Sequence, residues 1–131
     1  MSFRLLDHTA DVRAEVEAPD TEALYQSAVD LVRHLVVGDS PVEERQERQL
    51  EIGGDDAEER FFRFVRELVY QVDSERFLPR SVHLGPPLRV EGERFDAERH
   101  EAERQLKAVT RHGYRLESGD DGLRAELVFD L

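Results

Sequence analysis

The stretch VRAEVEAPDTEALYQSAVDLVRHLVVG, residues 12–38, decides the predicted fold because its hydrophobic period changes part-way along. Its first residues alternate apolar and charged side chains, which is the pattern of a half-buried strand that ends in a Pro-Asp turn. Asp20 or Thr21 then caps a helix over residues 22–37, whose apolar side chains repeat at helical spacing, and Gly38 supplies the stop. A strand therefore leads directly into a packed helix with one solvated face.

A second strand and a second helix follow. Residues 41–52 are rich in Glu, Arg and Gln and offer few apolar side chains to bury, so they predict a marginal strand at a sheet edge. Its charges would oppose pairing with another edge. Residues 53–56 form a turn and a cap, after which apolar side chains at helical spacing predict an amphipathic helix to about Asp73.

The remainder of the chain shows the alternation and the glycine turns of antiparallel strands. Residues 96–104 are compatible with either a solvated helical turn or a connector. The predicted class is α+β: a single domain, residues 1–131, in which antiparallel β-sheet and two amphipathic helices form a layered sandwich. The remaining predicted strands cover residues 81–84, 88–91, 106–111, 114–116 and 123–129.

Composition and charge narrow the possible partners. The formal net charge of −12 opposes phosphate backbones and anionic lipids, so we expect neither direct non-specific nucleic-acid binding nor membrane binding. Neighbouring Glu and Arg residues, as in 43–45 and 58–60, predict a solvated face that contributes little to stability. The absence of cysteine excludes disulfides and thiolate chemistry. Without a signal-peptide pattern or a long apolar run, the expected location is the cytoplasm.

Acidic residues flank the two terminal strand patterns. In the last strand the apolar side chains share one face, which leaves Asp130 on the other face or at the strand end. If the first and last strands are neighbours, Asp11 and Asp130 would meet at one end of a sheet, together with the terminal carboxylate of Leu131. Such oxygen ligands suit Mg²⁺, Ca²⁺ or Mn²⁺, so these three residues are candidate metal ligands.

Two other interpretations of these carboxylates stay open. Lys107, the single lysine among 18 basic residues, is an alternative counter-ion on a central strand. In the plainer interpretation, Asp7 and Asp11 are turn residues that make Asx hydrogen bonds, and Asp130 belongs to a frayed strand end.

Histidine chemistry has weak support in the sequence. His8, near Asp11, is a candidate ligand or general base, although a histidine in a polar turn is more often structural. No nucleophile elbow, phosphate-binding loop or dinucleotide fingerprint is present, which disfavours stand-alone catalysis. The other histidines have no zinc-ligand spacing: His34 is expected in a helix, His83 on a strand, and His100 and His112 at the surface or in a hairpin.

Three motifs, taken together, resemble the archease family across the whole chain. They are Leu6-Asp7-His8-Thr9-Ala10-Asp11-Val12, Leu106-Lys107-Ala108-Val109-Thr110 and Val128-Phe129-Asp130-Leu131. Each is short, but three in register, with helices where that family has them, make a fairly specific match. The chain departs from the family pattern at Arg111, where many relatives carry an aromatic residue, and at Leu131, where isoleucine is commoner.

The resemblance implies a function. Archeases are protein cofactors of the RtcB-type RNA ligase, which joins RNA ends with GTP and Mn²⁺ in tRNA splicing and RNA repair. They promote guanylylation of the ligase and sustain its multiple turnover, and they are not themselves the ligase. The resemblance implies that Asp11, Asp130 and an oxygen of Leu131 hold a divalent metal, and that Lys107 belongs to the same cluster. RNA and GTP would be met only through the ligase.

Two further classes of function are weighed against this one. A general chaperone or modulator of an RNA-modifying enzyme would use the acidic surface for docking, protect unrelated clients and tolerate Asp11→Ala. A small metal-dependent hydrolase would use Asp11, Asp130 and His8 and would turn over substrate alone. An activator, by contrast, would do nothing without its ligase.

Overall fold

The computed structural model describes residues 2–6 and 11–131. They form two α-helices and two antiparallel sheets, which confirms the predicted α+β class. The helices are α1 (Thr21–Val37) and α2 (Ala57–Asp73). The strands are β1 (Ser2–Leu6), β2 (Asp11–Ala18), β3 (Gln46–Leu50), β4 (Phe77–His83), β5 (Leu88–Arg94), β6 (Ala108–Gly119) and β7 (Gly122–Asp130).

The four-stranded sheet has the order β1-β2-β7-β6, which makes neighbours of β2 and β7 from opposite ends of the sequence. Their register runs from Asp11 opposite Asp130 to Ala18 opposite Leu123. This register places apolar side chains opposite one another on the core face, and side chains at alternate positions point to the other face. Asp11 and Asp130 belong to the alternate positions and therefore share the face that points away from the core.

The three-stranded sheet has the order β3-β5-β4, so the charged strand β3 lies at an edge, as the sequence predicts. Strand β4 begins at Phe77, earlier than predicted, and its register with β5 shifts between Pro79 and Ser81. Opposite this shift, a Cβ atom on Gly92 would overlap the carbonyl oxygen of Leu78. The close approach of the two backbones therefore requires glycine at this position.

Aspartate caps start both helices. The side chain of Asp20 accepts a hydrogen bond from the backbone of Ala23, and that of Asp56 accepts one from Glu59, both at 2.8 Å. Gly38 ends α1 with a positive φ of 58°, as its position in the sequence predicts. Both helices contact strands of both sheets and bury their apolar faces there. In the described part of the chain, no helix has the length and apolar character needed to cross a membrane.

Two predictions for the second half of the chain need correction. Strand β6 is continuous where two strands are predicted, because an irregularity between Thr110 and Arg115 absorbs the break in the hydrophobic pattern. Leu106 and Lys107 precede this strand instead of starting it. Residues 95–107 form neither helix nor strand; the ambiguous segment begins with one hydrogen-bonded turn, in which the Asp96 carbonyl accepts from Arg99 and His100, and continues as a connector.

Candidate functional site

The two aspartates of the predicted site lie directly opposite each other at one end of the four-stranded sheet. Asp11 begins β2, Asp130 ends β7, and the two are register partners. Residues opposite each other in an antiparallel pair have Cβ atoms about 5 Å apart on the same face. Asp130 is exposed, whereas Asp11 is partly buried and its Oδ1 atom is fully covered. The sheet register therefore brings two carboxylates together from residues 119 positions apart in the sequence.

Lys107 reaches the same end of the sheet from a third segment, which leads into the edge strand β6, so the prediction that it lies on a central strand is wrong. Its backbone N–H donates a hydrogen bond of 2.9 Å to the carbonyl oxygen of Asp130, just before β6 begins at Ala108, which is itself opposite Asp130. The side chain of Lys107 is exposed. The fold thus brings the backbone of Lys107 next to that of Asp130, at the sheet end where the two aspartates are register partners.

The structure gives less information on the other predicted site residues, Leu131, Asp7 and His8. Leu131 follows Asp130 directly and is 42% exposed. Asp7 and His8 fall outside the described residues. Within residues 2–6 and 11–131, no group of three or more histidine, aspartate or glutamate side chains is arranged to hold a metal ion. The described side chains therefore offer a pair of carboxylates, to which a main-chain or carboxylate oxygen of Leu131 could be added.

A family model described as the Archease protein family (MTH1598/TM1083) matches residues 3–131. The chain belongs to the archease family. Among its relatives, "Protein archease" of Archaeoglobus fulgidus is 32% identical and aligns over 100% of both chains. "Protein archease" of Pyrococcus abyssi is 28% identical over 95% of each chain. The match runs from end to end, so the resemblance inferred from three short motifs is confirmed.

Solved structures agree with this archease assignment. The solution structure of Methanobacterium thermoautotrophicum protein 1598 has a TM-score of 0.79 and 25% identity, with 98% of each chain covered. A crystal structure from Thermotoga maritima, described as an archease and possible chaperone, has a TM-score of 0.68 and 24% identity. The alignment with the Thermotoga maritima protein covers 96% of this chain and 94% of that one. Both support the fold of this archease.

Sequence reasoning missed a buried polar group beside the connector, which we name the Glu93 cluster: Glu93, Arg99 and His100. The Nη1 and Nη2 atoms of Arg99 each donate to Glu93 at 2.6 Å, and the backbone N–H of Glu43 adds a third bond at 2.6 Å. The Nε2 atom of His100 lies 3.3 Å from the same carboxylate. Arg99 is the main reason that the pKa of Glu93 is lowered to about 2, and burial acts in the opposite direction.

The prediction that His100 lies at the surface or in a hairpin is wrong, because the residue is only 3% exposed. It packs against Phe95, with 5.8 Å between ring centroids, and bonds to Glu93. No pattern of spacing marks this position, since the partners of His100 come from an irregular segment and a strand end.

A second group, the Glu59 cluster (Glu59, Arg63 and Arg111), joins α2 to β6. Arg111 donates two bonds to Glu59, at 2.7 and 2.9 Å, and Arg63 donates one at 2.7 Å. Hydrogen bonds from Arg111 and then Arg63 are the main causes that lower the pKa of Glu59 to about 2. One of the Glu-Arg neighbours predicted to form only a solvated face therefore makes a contact between two elements.

Proposed function

We propose that this archease activates an RtcB-type RNA ligase by promoting its GTP-dependent guanylylation and multiple turnover in tRNA splicing and RNA repair. Membership of the archease family supports the proposal, and so does the meeting of Asp11, Asp130 and Lys107 at one end of the sheet. The formal charge of −12 favours contact with RNA through the ligase rather than directly. We place this activity in the cytoplasm.

The donor set at the sheet end fits a hard divalent cation. Two register-paired carboxylates would repel each other unless a positive charge joined them, and their oxygens are the donors that Ca²⁺, Mg²⁺ and Mn²⁺ prefer. Asp11 and Asp130 would hold the ion, with an oxygen of Leu131. Such an ion supplies positive charge for phosphate oxygens when bound.

Lys107 is the residue that we assign to phosphate contact. Its exposed ammonium can approach a phosphate of a nucleotide in the ligase, and it is a compact point charge on a flexible stem. Arginine has a planar fork with a different donor geometry. Lys107→Arg should therefore keep the fold and lose activation.

The deciding experiment measures guanylylation of a limiting amount of cognate ligase with GTP and Mn²⁺. The wild-type protein should accelerate the reaction, and Asp11→Ala, Lys107→Ala and Asp130→Ala should remain folded and fail to do so. Asp120→Ala is the matched control, because Asp120 is exposed at the other end of the same sheet, roughly 30 Å along β7. No acceleration by the wild-type protein would refute the proposed function.

Metal binding has its own test, without the ligase. Ca²⁺ or Mn²⁺ should raise the melting temperature of the wild-type protein, since a ligand that binds the native state stabilises it. Asp11→Ala and Asp130→Ala should abolish the increase, and Asp120→Ala should retain it. An equal increase in all variants would remove Asp11 and Asp130 as ligands.

A chaperone or modulator role is the second candidate, because the Thermotoga maritima relative of the same fold is described as a possible chaperone. It requires that the wild-type protein and Asp11→Ala protect unrelated clients from aggregation equally well. Turnover of a substrate without any ligase would instead favour a hydrolase.

A further inference from the structure

Lys107 is carried to Asp130 by the connector, residues 95–107, which has no helix or strand of its own. Most of its second half is exposed. A segment of this length without regular structure owes its position to contacts with other elements. The location of Lys107 therefore depends on what holds the connector in place.

The Glu93 cluster fixes the first half of the connector. Glu93, at the end of β5, is buried and accepts a hydrogen bond of 2.6 Å from each Nη atom of Arg99. Phe95 donates a backbone bond of 2.7 Å to Arg76. Two close bonds from one planar guanidinium set its orientation as well as its distance. The turn that contains Arg99 is thereby bound to the three-stranded sheet.

His100 closes this turn. Its Nδ1 atom accepts a hydrogen bond of 2.9 Å from the backbone N–H of Asp96. An accepting Nδ1 carries no proton, so the proton of the neutral ring lies on Nε2, which is 3.3 Å from Glu93 and can donate to it. The buried ring thus connects the start of the turn to the carboxylate through its two nitrogens.

Beyond His100, the connector docks on the end of α1. The backbone N–H of Glu103 donates to the carbonyl of Val36 at 2.7 Å, and that of Glu101 donates to the Ser40 hydroxyl at 2.9 Å. Carbonyls in the last turn of a helix have no partner within the helix, so the connector satisfies one of them. Leu106 is 1% exposed. These contacts lead directly to the bond from Lys107 to Asp130.

We infer that Glu93 and His100 are positioning residues for Lys107, holding the connector so that the lysine stays beside Asp130. The inference rests on the proposed function, because it assigns the Glu93 cluster an effect on ligase activation. Displacement of a positioned group by about 1 Å can cost roughly 100-fold in rate, so partial release of the connector is expected to reduce activation about tenfold.

The first test needs no ligase and follows backbone hydrogen exchange in Glu93→Gln and His100→Asn. The amides of Glu103 and Lys107 should exchange at least tenfold faster than in the wild-type protein. The amides that pair β2 with β7 should exchange at the wild-type rate. Unchanged exchange at Glu103 and Lys107, or faster exchange throughout the protein, would overturn the inference.

The second test measures activation of ligase guanylylation by the same variants. His100→Asn keeps an acceptor near the position of Nδ1 but is too short to reach Glu93, whereas the His100→Gln amide can donate toward Glu93. We expect about tenfold less activation by Glu93→Gln and His100→Asn, with partial recovery in His100→Gln.

Glu59→Gln is the matched control for the second test, since it removes the charge of an arginine-paired carboxylate outside the connector. It should activate like the wild-type protein. Full activation by Glu93→Gln and His100→Asn would overturn the inference. If the wild-type protein itself fails to activate, the proposed function fails, while hydrogen exchange still decides whether the cluster positions Lys107.

Discussion

The Glu93 cluster and the Glu59 cluster have the same chemistry in different surroundings. Each glutamate accepts hydrogen bonds from the two Nη atoms of one arginine. Each has its pKa lowered to about 2, mainly by that arginine. The Glu93 side chain is 4% exposed and the Glu59 side chain 27%. Water and salt screen an exposed pair, whereas a buried charge that loses its partner stays desolvated. Equal pKa values therefore do not imply equal contributions to stability.

The two clusters also differ in what else holds their elements together. Arg111 lies over the ring of Phe62, 4.3 Å from its centroid, and Tyr114 donates a hydrogen bond of 2.6 Å to the Glu58 carbonyl. The contact between α2 and β6 thus has apolar and backbone support besides Glu59. The connector beside Glu93 has the backbone hydrogen bonds of a single turn, from Arg99 and His100 to Asp96, but no helix or strand, so the loss of Glu93 is expected to loosen it more than the loss of Glu59 loosens α2 and β6.

The largest expected effect separates the two clusters by stability. Glu93→Ala should lower the free energy of unfolding by about 3 kcal/mol, because it leaves Arg99 and the buried His100 without their common acceptor. Glu59→Ala should cost clearly less, since its partners remain hydrated. Urea unfolding of both variants measures the difference, and equal losses would show that burial does not distinguish the clusters.

The second prediction concerns acid. A glutamate with a pKa of about 2 in the folded protein and 4.5 as its ordinary value stabilises the fold above pH 4.5. This contribution is lost as the pH falls from 4.5 to 2, when the unfolded chain takes up the proton first. Glu93→Gln and Glu59→Gln should therefore flatten the decline of melting temperature in that window by similar amounts at low salt, because the two folded pKa values are equally low.

Repeating the pH experiment at high salt separates the two glutamates. In 1 M NaCl the Debye length falls to about 3 Å, so the contribution of the more exposed Glu59 should shrink more than that of Glu93. The same flattening by both substitutions in 1 M NaCl would contradict the distinction.

The smallest expected effect is within the Glu59 cluster. Arg111→Phe should be close to neutral, because a ring can pack on Phe62 in place of the guanidinium while Glu59 keeps its bond to Arg63. Arg111→Ala should lower the melting temperature by a few degrees, since packing and pairing are both lost. Thermal unfolding of the two variants measures this, and a larger loss in Arg111→Phe would show that the ion pair outweighs the packing.

The sequence predicts the regular elements well where the hydrophobic period agrees with the capping and turn residues that bound each element. Helix α1 ends at Gly38 as predicted, and charged β3 lies at a sheet edge. The sequence predicts two strands in place of β6 because the irregular middle of this strand, near Gly113, interrupts the alternation that marks a strand. Pairing with β7 on both sides of the irregularity makes it one element, and such pairing is invisible in local sequence.

For the site, the sequence by itself determined which residue types are available: two terminal aspartates, one lysine, and motifs sufficient to identify the family. Only the tertiary structure decided that Asp11 and Asp130 are register partners and that Lys107 bonds to the same strand end. It also decided that Glu93 and His100 are buried together. The physical reason is that periodicity reports which face of an element is buried, whereas register and polar pairing between distant segments arise only when those faces pack.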